Sequence, residues 1–333
     1  MNQVLAPPTA PTIRKLGLTL CALLFSAFAF GQVFPIPGKP VRIIVPFPPG
    51  GQTDTQARAV AIKLAASLGV PVIVENKPGA STIIGAQALI KSDPDGHTLL
   101  YTISVTATQN PHLFTKLPYD AIKDLTPVML AARASVVLAV PANAPYSTVQ
   151  ELVAYARANP GKVNFGSFSA GSASHLNGEL LKQATGIDIV HIPYKGTAEA
   201  TMALLGGHVQ MLFDGTSTAI ANAKAGKVKI LAYVDEKRLD VLPDVPTMTE
   251  AGVKGADLAG GMQFFGPAGM NREVLMKVNA ALAAVMRQPD IVKLYVEGGT
   301  EIVAGSPEQH ANMVRDQYQR WGVVIRKLGL KLD

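Results

Sequence analysis

The sequence predicts an α/β fold with mostly parallel sheets, and three observations support this. Strand patterns and helical patterns alternate along the chain of 333 residues, as they do in α/β proteins. Two strands, within residues 41–69 and 162–186, run into glycine-rich loops that open helices. Apolar residues make up 48% of the chain and charged residues 16%, so the chain can form a large core and disorder is excluded.

The N-terminal segment, residues 1–29, is predicted to be a cleaved secretory signal peptide. Two basic residues precede an apolar run over 16–30, which is too short for a comfortable membrane span. Ala27-Phe28-Ala29 has the small-x-small pattern of a signal peptidase site, and an uncleaved anchor is the alternative. Cleavage there would remove Cys21, the sole cysteine, and would leave a soluble periplasmic protein without thiol chemistry.

The elements of the first half follow from local patterns. A β-branched run predicts a strand at 41–45, the turn Pro46 to Gly51 ends it, and helical periodicity follows over 52–68. Further strands are predicted at 71–75, 97–103 and 136–140. Helices are predicted from the loop at 76–82 to about residue 91, and over 149–159, where Pro160-Gly161 ends the helix.

The second half repeats the alternation. A strand at 163–165 leads through the second glycine loop into a helix from Ser172. A strand at 187–192 precedes the turn Pro193 to Thr197 and a helix over 198–205. Strands follow at 209–213 and 228–233, and the tail from Arg272 is helical apart from 298–306.

Both glycine loops have the features of an anion site. Glycine allows the backbone to approach a ligand, and the free N–H groups of a helix N-terminus carry a partial positive charge. Two such loops suggest a cleft that grips a carboxylate or phosphate from two sides, although ordinary βα turns would look the same. Neither loop contains GxxxxGK[ST] or GxGxxG, so a nucleotide fingerprint is absent.

Composition also limits the partners. Removal of residues 1–29 lowers the net charge from +6 to +4, because Arg14 and Lys15 are lost. The chain shows no basic stripe with stacking aromatics, so no nucleic acid partner is expected. The six histidines lack metal-ligand spacing, and we expect neither a metal nor a cofactor.

The order of several short segments resembles one known family. The segments are KPVRIIVPFPPGGQTD, ENKPGAS, DPDGHTLL, LPYD, SASHLNGEL, HIPYKGTAEA, LLGGHVQMLFD, LPDVPTMTEAG, GPAG and the closing Trp321. Together they resemble the periplasmic receptors of tripartite tricarboxylate transporters, also called Bug proteins, and they cover nearly all of the mature chain.

This resemblance implies a type II periplasmic binding protein, in which two α/β lobes surround a central cleft and two crossover segments join them. We expect lobe 1 to comprise residues 32–135 and 255–333, and lobe 2 residues 136–254, with crossings near 133–135 and 254–261. The implied function is capture of a small carboxylate for membrane permease subunits. The protein is expected to act as a monomer and not as an enzyme.

The predicted ligand-binding residues lie at six places along the chain. They are the first loop with Gly50, Gly51, Thr53 and Asp54; the run Ala80, Ser81 and Thr82; the second loop with Ser167, Phe168, Ser169, Gly171, Ser172 and His175; the turn with Gly196 and Thr197; and Asp214, with Tyr101 beside the cleft. Most of these side chains also have a purely structural interpretation, such as a packed histidine, a capping aspartate or a core tyrosine.

The ligand itself is the least defined part of the prediction. Gly261 stands where relatives often carry a tryptophan, which implies extra space in the cleft. With Tyr101, Phe168 and Phe264 along an apolar centre, a dicarboxylate would fit, and an aromatic one such as terephthalate is a candidate.

Two other function classes stay open at this stage. A serine hydrolase could use the loop Ser167 to Gly171, with Ser169 as nucleophile and Asp214 or Asp257 and His310 as partners. The nucleophile elbow is incomplete, because Ser167 occupies the position that requires glycine. A ligand sensor that feeds a signalling partner would share the receptor fold.

Overall fold

The first sheet of the structure, a computed structural model, has six strands in the order β11-β4-β10-β3-β1-β2. The model describes residues 34–256 and 258–333, besides Met1 and Gln3; the predicted cleavage site and the apolar run before it fall outside them. The strands are β1 (Val41–Val45), β2 (Val72–Asn76), β3 (Thr98–Ile103), β4 (Leu125–Ala134), β10 (Gly260–Pro267) and β11 (Glu301–Ile302). Strand β1 pairs in parallel with β2 and β3, whereas β10 runs antiparallel to both β3 and β4.

The second sheet has five strands in the order β7-β6-β8-β5-β9. They are β5 (Val136–Pro141), β6 (Val163–Ser167), β7 (Ile189–Pro193), β8 (Met211–Gly215) and β9 (Val228–Tyr233). Strand β6 pairs in parallel with β7 and β8, and β5 pairs antiparallel with β8 and β9.

The prediction of mostly parallel sheets is therefore wrong, because both sheets are mixed. The strands that run against the rest of their sheet are β10 and β11 in the first sheet and β5 in the second. Of these, β5 follows the first change of sheet and β10 follows the return. Sequence patterns missed β4 and β10 altogether. Pro127 lies inside β4, while β10 begins with Gly260 and Gly261 and ends at Pro267, and such residues are typical of turns.

Helices cover the faces of both sheets. They are α1 (Gln52–Leu68), α2 (Ile83–Ile90), α3 (Asn110–Leu113), α4 (Val149–Ala158), α5 (Ala173–Thr185), α6 (Thr197–Leu205), α7 (Thr216–Lys224), α8 (Arg272–Met286), α9 (Pro289–Glu297) and α10 (Pro307–Leu328). A π-helical turn, Val105–Gln109, follows β3. The predicted bounds of α1 are confirmed, and α7 and the π-helical turn were not predicted.

We call the first sheet with its helices lobe 1 and the second sheet with its helices lobe 2. Each has its own apolar core, with Tyr101 and Phe264 buried in lobe 1 and Phe165 and Phe213 in lobe 2. The chain passes from β4 to β5 through Ser135 alone and returns between β9 and β10. The residue bounds given above for the two lobes remain a prediction.

Candidate functional site

A cavity of about 200 Å³ lies between the two sheets, and both lobes line it. This is small beside the pockets of about 300–1,000 Å³ that hold drug-sized ligands. Its lining residues are Phe47, Pro48, Gly51, Gln52, Thr53, Ile103, Ser104, Val105, Gln109, Ala134, Ser135, Val136, Phe168, Ala173, Gly196, Thr197, Ala198, Glu199, Gly215, Gly260, Gly261 and Met262. The cavity thus suits a small solute.

Four helices, α1, α5, α6 and α7, begin at this cavity. None of the four has a side-chain hydrogen bond at its N-cap residue within the described part of the chain. Helices α4, α8 and α10 begin elsewhere and are capped by Thr148, Asn271 and Ser306. The uncapped ends bring the positive ends of four helix dipoles to one place, which favours an anion.

Glycine lets the two lobes touch at the mouth of the cavity. The backbone N–H of Gln52 in α1 donates to Oγ1 of Thr197 in α6 across 3.3 Å. A Cβ at Gly51 would lie 2.6 Å from that same Oγ1, and a Cβ at Gly215 would lie 2.4 Å from Gln52 Oε1. The N-termini of α1 and α6 can therefore approach this closely only because Gly51 carries no side chain.

The described residues that line the cavity include no lysine or arginine. Their one ionisable side chain is Glu199, whose Oε2 accepts from the backbone N–H of Lys195 at 3.0 Å. Apolar side chains such as Phe47, Phe168 and Met262 form much of the wall. Charge compensation for an anion would therefore come from helix N-termini and hydroxyl groups.

Five of the predicted ligand residues line the cavity: Gly51, Thr53, Phe168, Gly196 and Thr197. Thr53 and Gly51 belong to the first glycine loop, and Gly196 and Thr197 form the start of α6. The hydroxyl of Thr53 has no hydrogen-bond partner among the described residues, although this residue is only 8% exposed. This hydroxyl is free to bind a ligand.

The other two members of the first loop hold its conformation. The backbone N–H of Gly50 donates to Asp54 Oδ2 at 2.9 Å, and Asp54 forms an ion pair with Arg58. Burial raises the pKa of Asp54, but hydrogen bonds from Arg58, Gly50 and Asn76 outweigh burial and lower it below its usual value. Neither Gly50, which is exposed, nor Asp54, which is buried, lines the cavity.

The run Ala80 to Thr82 lies beside the cavity but does not line it. All three residues have left-handed backbones, with φ of 45°, 49° and 76°. Ser81 Oγ donates to the carbonyl of Ala170 in lobe 2 at 2.9 Å, and Thr82 Oγ1 is 2.9 Å from Thr106 Oγ1. This strained turn fastens lobe 1 to the second glycine loop.

Tyr101 is a core residue in the structure. Its hydroxyl donates to Gln56 Oε1 at 3.1 Å and lies 2.6 Å from the hydroxyl of Tyr295, and its ring packs on Phe264 with centroids 4.5 Å apart. Burial raises the pKa of Tyr101 well above its usual value. Neither Tyr101 nor Phe264 lines the cavity, so the apolar wall is formed by other residues.

Most of the second glycine loop is bonded to itself and to two histidines. Ser167 Oγ lies 2.7 Å from His191 Nε2, and the N–H of Gly171 donates to His175 Nδ1 at 3.0 Å. The two imidazoles stack at 3.7 Å and 11°. Burial lowers the pKa of His175 to about 4, and burial with the neighbouring His175 lowers that of His191 to about 3.

Two further serines of this loop, Ser169 and Ser172, lie away from the cavity lining. Ser172 Oγ donates to the carbonyl of Ser169 at 2.7 Å. Asp214 is also buried behind the wall, where it accepts from Thr201 Oγ1 at 3.0 Å, from the N–H of Gly215 and from Thr218. Burial raises the pKa of Asp214 to about 7.

The described residues do not have the serine–histidine geometry that a serine hydrolase requires. The hydroxyl of Ser169 donates to the carbonyl of Ala170, and Ser167, the serine bonded to a histidine, is fully buried. His310 is bonded to Gln263 Oε1 at 3.1 Å. The remaining predicted partner, Asp257, lies outside the described residues.

Several cavity residues were missed by the sequence analysis, and Gly261 lines the cavity as expected but does not widen it by lacking a side chain. Ser104 and Gln109 have no recognisable motif around them. A Cβ at Gly261 would meet Leu130 Cδ1 at 2.7 Å and the carbonyl of Ala132 at 3.0 Å, so the missing side chain faces β4. A Cβ at Gly260 would lie 3.2 Å from Ser104 Oγ, on the cavity side.

Two kinds of feature are absent from the described residues. No group of three or more His, Cys, Asp or Glu side chains is placed to hold a metal ion. None of the helices in that part of the chain is long and apolar enough to cross a membrane.

Comparison with known proteins places the chain among periplasmic receptors. The model of the tripartite tricarboxylate transporter family receptor matches residues 56–330. A curated relative, the protein BugT of Bordetella pertussis, is 34% identical over 297 residues, covering 89% of this chain and 91% of BugT. The solved periplasmic binding protein BugD is 32% identical with a TM-score of 0.84, covering 89% of this chain and 99% of BugD.

Two similar structures contain dicarboxylates. The structure of Rpa4515 of R. palustris with adipate is 32% identical to this chain, with a TM-score of 0.85. The match covers 89% of this chain and 99% of the Rpa4515 chain. The structure of MatC of Rhodopseudomonas palustris with bound malate is 31% identical to this chain, with a TM-score of 0.82. The match covers 87% of this chain and 100% of the MatC chain.

These likenesses confirm the predicted fold, a type II periplasmic binding protein with two α/β lobes. They also confirm that the protein is a solute-binding receptor and not an enzyme, since the matched family is one of receptors. Because the family model matches most of its length, this chain belongs to the tripartite tricarboxylate transporter receptor family.

Proposed function

We propose that this protein captures a small dicarboxylate in the periplasm and delivers it to the permease subunits of a tripartite tricarboxylate transporter. An aromatic dicarboxylate such as terephthalate is one candidate beside aliphatic ones. The main support is the meeting of four uncapped helix N-termini at a cavity whose described lining has no cationic side chain. The adipate and malate in the two similar structures support the same ligand class.

Hydrogen bonds account for the binding of a carboxylate without arginine. A hydrogen bond to a charged group contributes about 1.5–3 kcal/mol. Free N–H groups at the starts of α1 and α6, together with the hydroxyl of Thr53, supply such donors. The apolar wall then selects for the carbon skeleton between the carboxyl groups.

The delivery step and the cellular location belong to the same proposal. The receptor family implies a permease partner and a periplasmic location, reached by cleavage of the predicted signal peptide near Ala29. We propose a monomer with no nucleic acid partner.

Calorimetry with the mature protein tests the ligand class. The panel comprises succinate, malate, adipate and terephthalate, with glucose and a diamine as non-acidic solutes. We expect heat of binding with at least one dicarboxylate, whereas binding of the diamine or the sugar alone would contradict the proposal.

A matched pair of variants on α1 locates the site. Thr53→Val removes a hydroxyl at the cavity, and Thr55→Val makes the same change at an exposed position two residues later. We expect Thr53→Val to weaken binding about tenfold, the cost of one charged hydrogen bond, and Thr55→Val to bind normally. Equal affinities in both variants would place the ligand elsewhere.

A further inference from the structure

The tip of the second glycine loop, Ala170-Gly171, is held by lobe 1 and lies outside the cavity lining. The carbonyl of Ala170 accepts from Ser81 Oγ at 2.9 Å. Gly171 lies against two leucines, because a Cβ on it would collide with Leu113 Cδ1 and would lie 2.9 Å from Leu332 Cδ1. Its φ of +76° also favours glycine. We call Ser81, Leu113 and Leu332 the socket.

The socket residues come from distant parts of the chain but are bonded to one another. Nδ2 of Asn110, at the start of α3, donates to the carbonyl of Ser81 at 2.7 Å. Leu113 ends α3 and is fully buried, and its carbonyl accepts from the backbone N–H of Leu332 at 3.0 Å. The socket is therefore one connected surface of lobe 1.

The C-terminal tail, residues 330–333, supplies one wall of the socket and is itself anchored to lobe 1. Nζ of Lys331 donates to the carbonyl of His112 at 3.0 Å. The backbone N–H of Thr115 donates to Asp333 Oδ2 at 2.7 Å. Leu332 lies between these two anchors, so its side chain is held against the loop tip.

The loop tip also sets the position of a helix that begins at the cavity. Helix α5 starts at Ala173, two residues after Gly171, and Ala173 lines the cavity. The N–H of Gly171 donates to Nδ1 of His175 in the first turn of α5, at 3.0 Å, which joins the tip to the helix. A displacement of the tip from the socket would therefore move the N-terminus of α5 away from that of α1 in lobe 1.

We propose that the socket is a latch for closure, which holds the loop tip of lobe 2 when the cleft is closed and so raises the population of the closed form. The latch goes beyond the proposed ligand class, because neither the socket nor the loop tip lines the cavity. The apparent affinity for a ligand is proportional to the fraction of the protein in the binding-competent form. The C-terminal tail thus tunes the affinity without touching the ligand.

Two variants of the mature protein each remove one contact of the latch. Calorimetry with succinate, malate, adipate and terephthalate measures the effect. We expect Leu332→Ala to weaken binding about tenfold and Ser81→Ala about fivefold. Because neither side chain touches the ligand, each variant should weaken every acid that binds by the same factor. Unchanged affinity in both variants, or factors that differ between acids, would overturn the latch.

Matched variants control for general effects on lobe 1. Ser92→Ala removes a hydroxyl that donates to the carbonyl of Leu89 at 2.6 Å, within lobe 1, and Ser92 is half-buried like Ser81. Leu275→Ala truncates a half-buried leucine of α8 that packs on the lobe 1 core. Both should bind as the wild type does. A loss of affinity in these controls equal to that in the latch variants would show a general effect of stability and would overturn the latch.

A distance across the cleft tests closure directly. Cys21 is the sole cysteine and is lost with the predicted signal peptide, so spin labels can be attached to Ile62→Cys on α1 and Met202→Cys on α6, at positions 70% and 69% exposed. Without ligand, Leu332→Ala should show a larger share of long distances than the wild type. Identical distributions would overturn the latch. If no acid binds to the wild type, the proposed function fails, and these ligand-free distances still decide whether the latch exists.

Discussion

Two histidines behind the second glycine loop are kept neutral by their surroundings. His175 accepts from the N–H of Gly171, and His191 is bonded to Ser167, so each ring holds one residue of the loop. A proton on either ring would be buried beside the other imidazole at 3.7 Å. The bond from Gly171 therefore requires the neutral form of His175, whereas Ser167 donates to the carbonyl of Ser169 and accepts from His191.

This arrangement predicts a loss of stability in acid. The folded pKa values, about 4 for His175 and about 3 for His191, lie below the usual 6.5, so the unfolded chain takes up these protons first. The stabilisation is complete above about pH 6.5 and decreases as the pH falls, through about 4 for His175 and about 3 for His191. Denaturant unfolding at pH 7, 6 and 5 should show this, with a shallower dependence in His175→Gln.

The raised pKa of Asp214 makes stability depend on pH in the opposite direction. Its folded pKa of about 7 lies above the usual 3.8, so its contribution is complete below pH 3.8 and is lost as the pH rises toward 7. Because Asp214 is present in both proteins, its contribution to the pH dependence of stability cancels when His175→Gln is compared with the wild type. An identical pH dependence in the two proteins would contradict the role assigned to His175.

At the scale of elements, the molecule caps helices differently according to where they begin. Helix α4 has a full capping box, in which Thr148 and Glu151 bond to each other's backbone N–H groups. Helix α1 begins after Gly51, which has no side chain to offer; the N–H of Gln52 is taken by Thr197 Oγ1, and the N–H groups of Thr53 and Asp54 have no partner among the described residues. Among the described helices, the three that have a side-chain cap, α4, α8 and α10, all begin away from the cavity, as expected where a ligand completes the cap at the cavity.

Gly51→Ala is expected to weaken ligand binding at least tenfold with little effect on folding. Gly51 has a φ of −82°, which alanine adopts without strain, but the new Cβ would lie 2.6 Å from Thr197 Oγ1 and push the starts of α1 and α6 apart. Thr148→Ala is the control, with about 1 kcal/mol less stability and normal binding. Calorimetry and denaturant unfolding check both; normal binding by Gly51→Ala would contradict the need for close approach.

At the scale of the whole molecule, the lobes meet on two sides of the cavity. Gln52 and Thr197 touch at one place, and Ser81 bonds to Ala170 at another. Near the crossing from β4 to β5, Arg133 lies 3.5 Å from Asp235. The contacts at the cavity mouth require the lobes to be close, so a ligand held by both lobes stabilises this closed arrangement.

Small-angle scattering should therefore show a smaller radius of gyration when a bound dicarboxylate saturates the protein. Ligand at 100 times its Kd should also stabilise the fold by about 2.7 kcal/mol, seen as a higher melting temperature. The Gly51→Ala variant should close less completely. A radius that does not change at saturation would instead indicate a rigid pocket.

The sequence by itself determined the local elements and the chemical character of the site. The predicted bounds of α1 and β9 agree with the structure, because apolar periodicity and flanking turn residues are local properties. The glycine loop before α1 predicts an anion site for the same reason, because free N–H groups at a helix start follow from the chain immediately before it. The family resemblance added Gly51 and Thr53 as ligand residues; both line the cavity, and their contact with a ligand stays a prediction.

Only the tertiary structure decided which residues face the cavity. Tyr101 belongs to the core because Gln56 and Tyr295 approach it from distant segments, and Ser104 becomes a donor because Gln263 and Gly261 occupy its lone pairs. Strand β10 forms despite its glycines because β3 and β4 pair with it on both sides. Such contacts join residues far apart in the chain, and no local pattern encodes them.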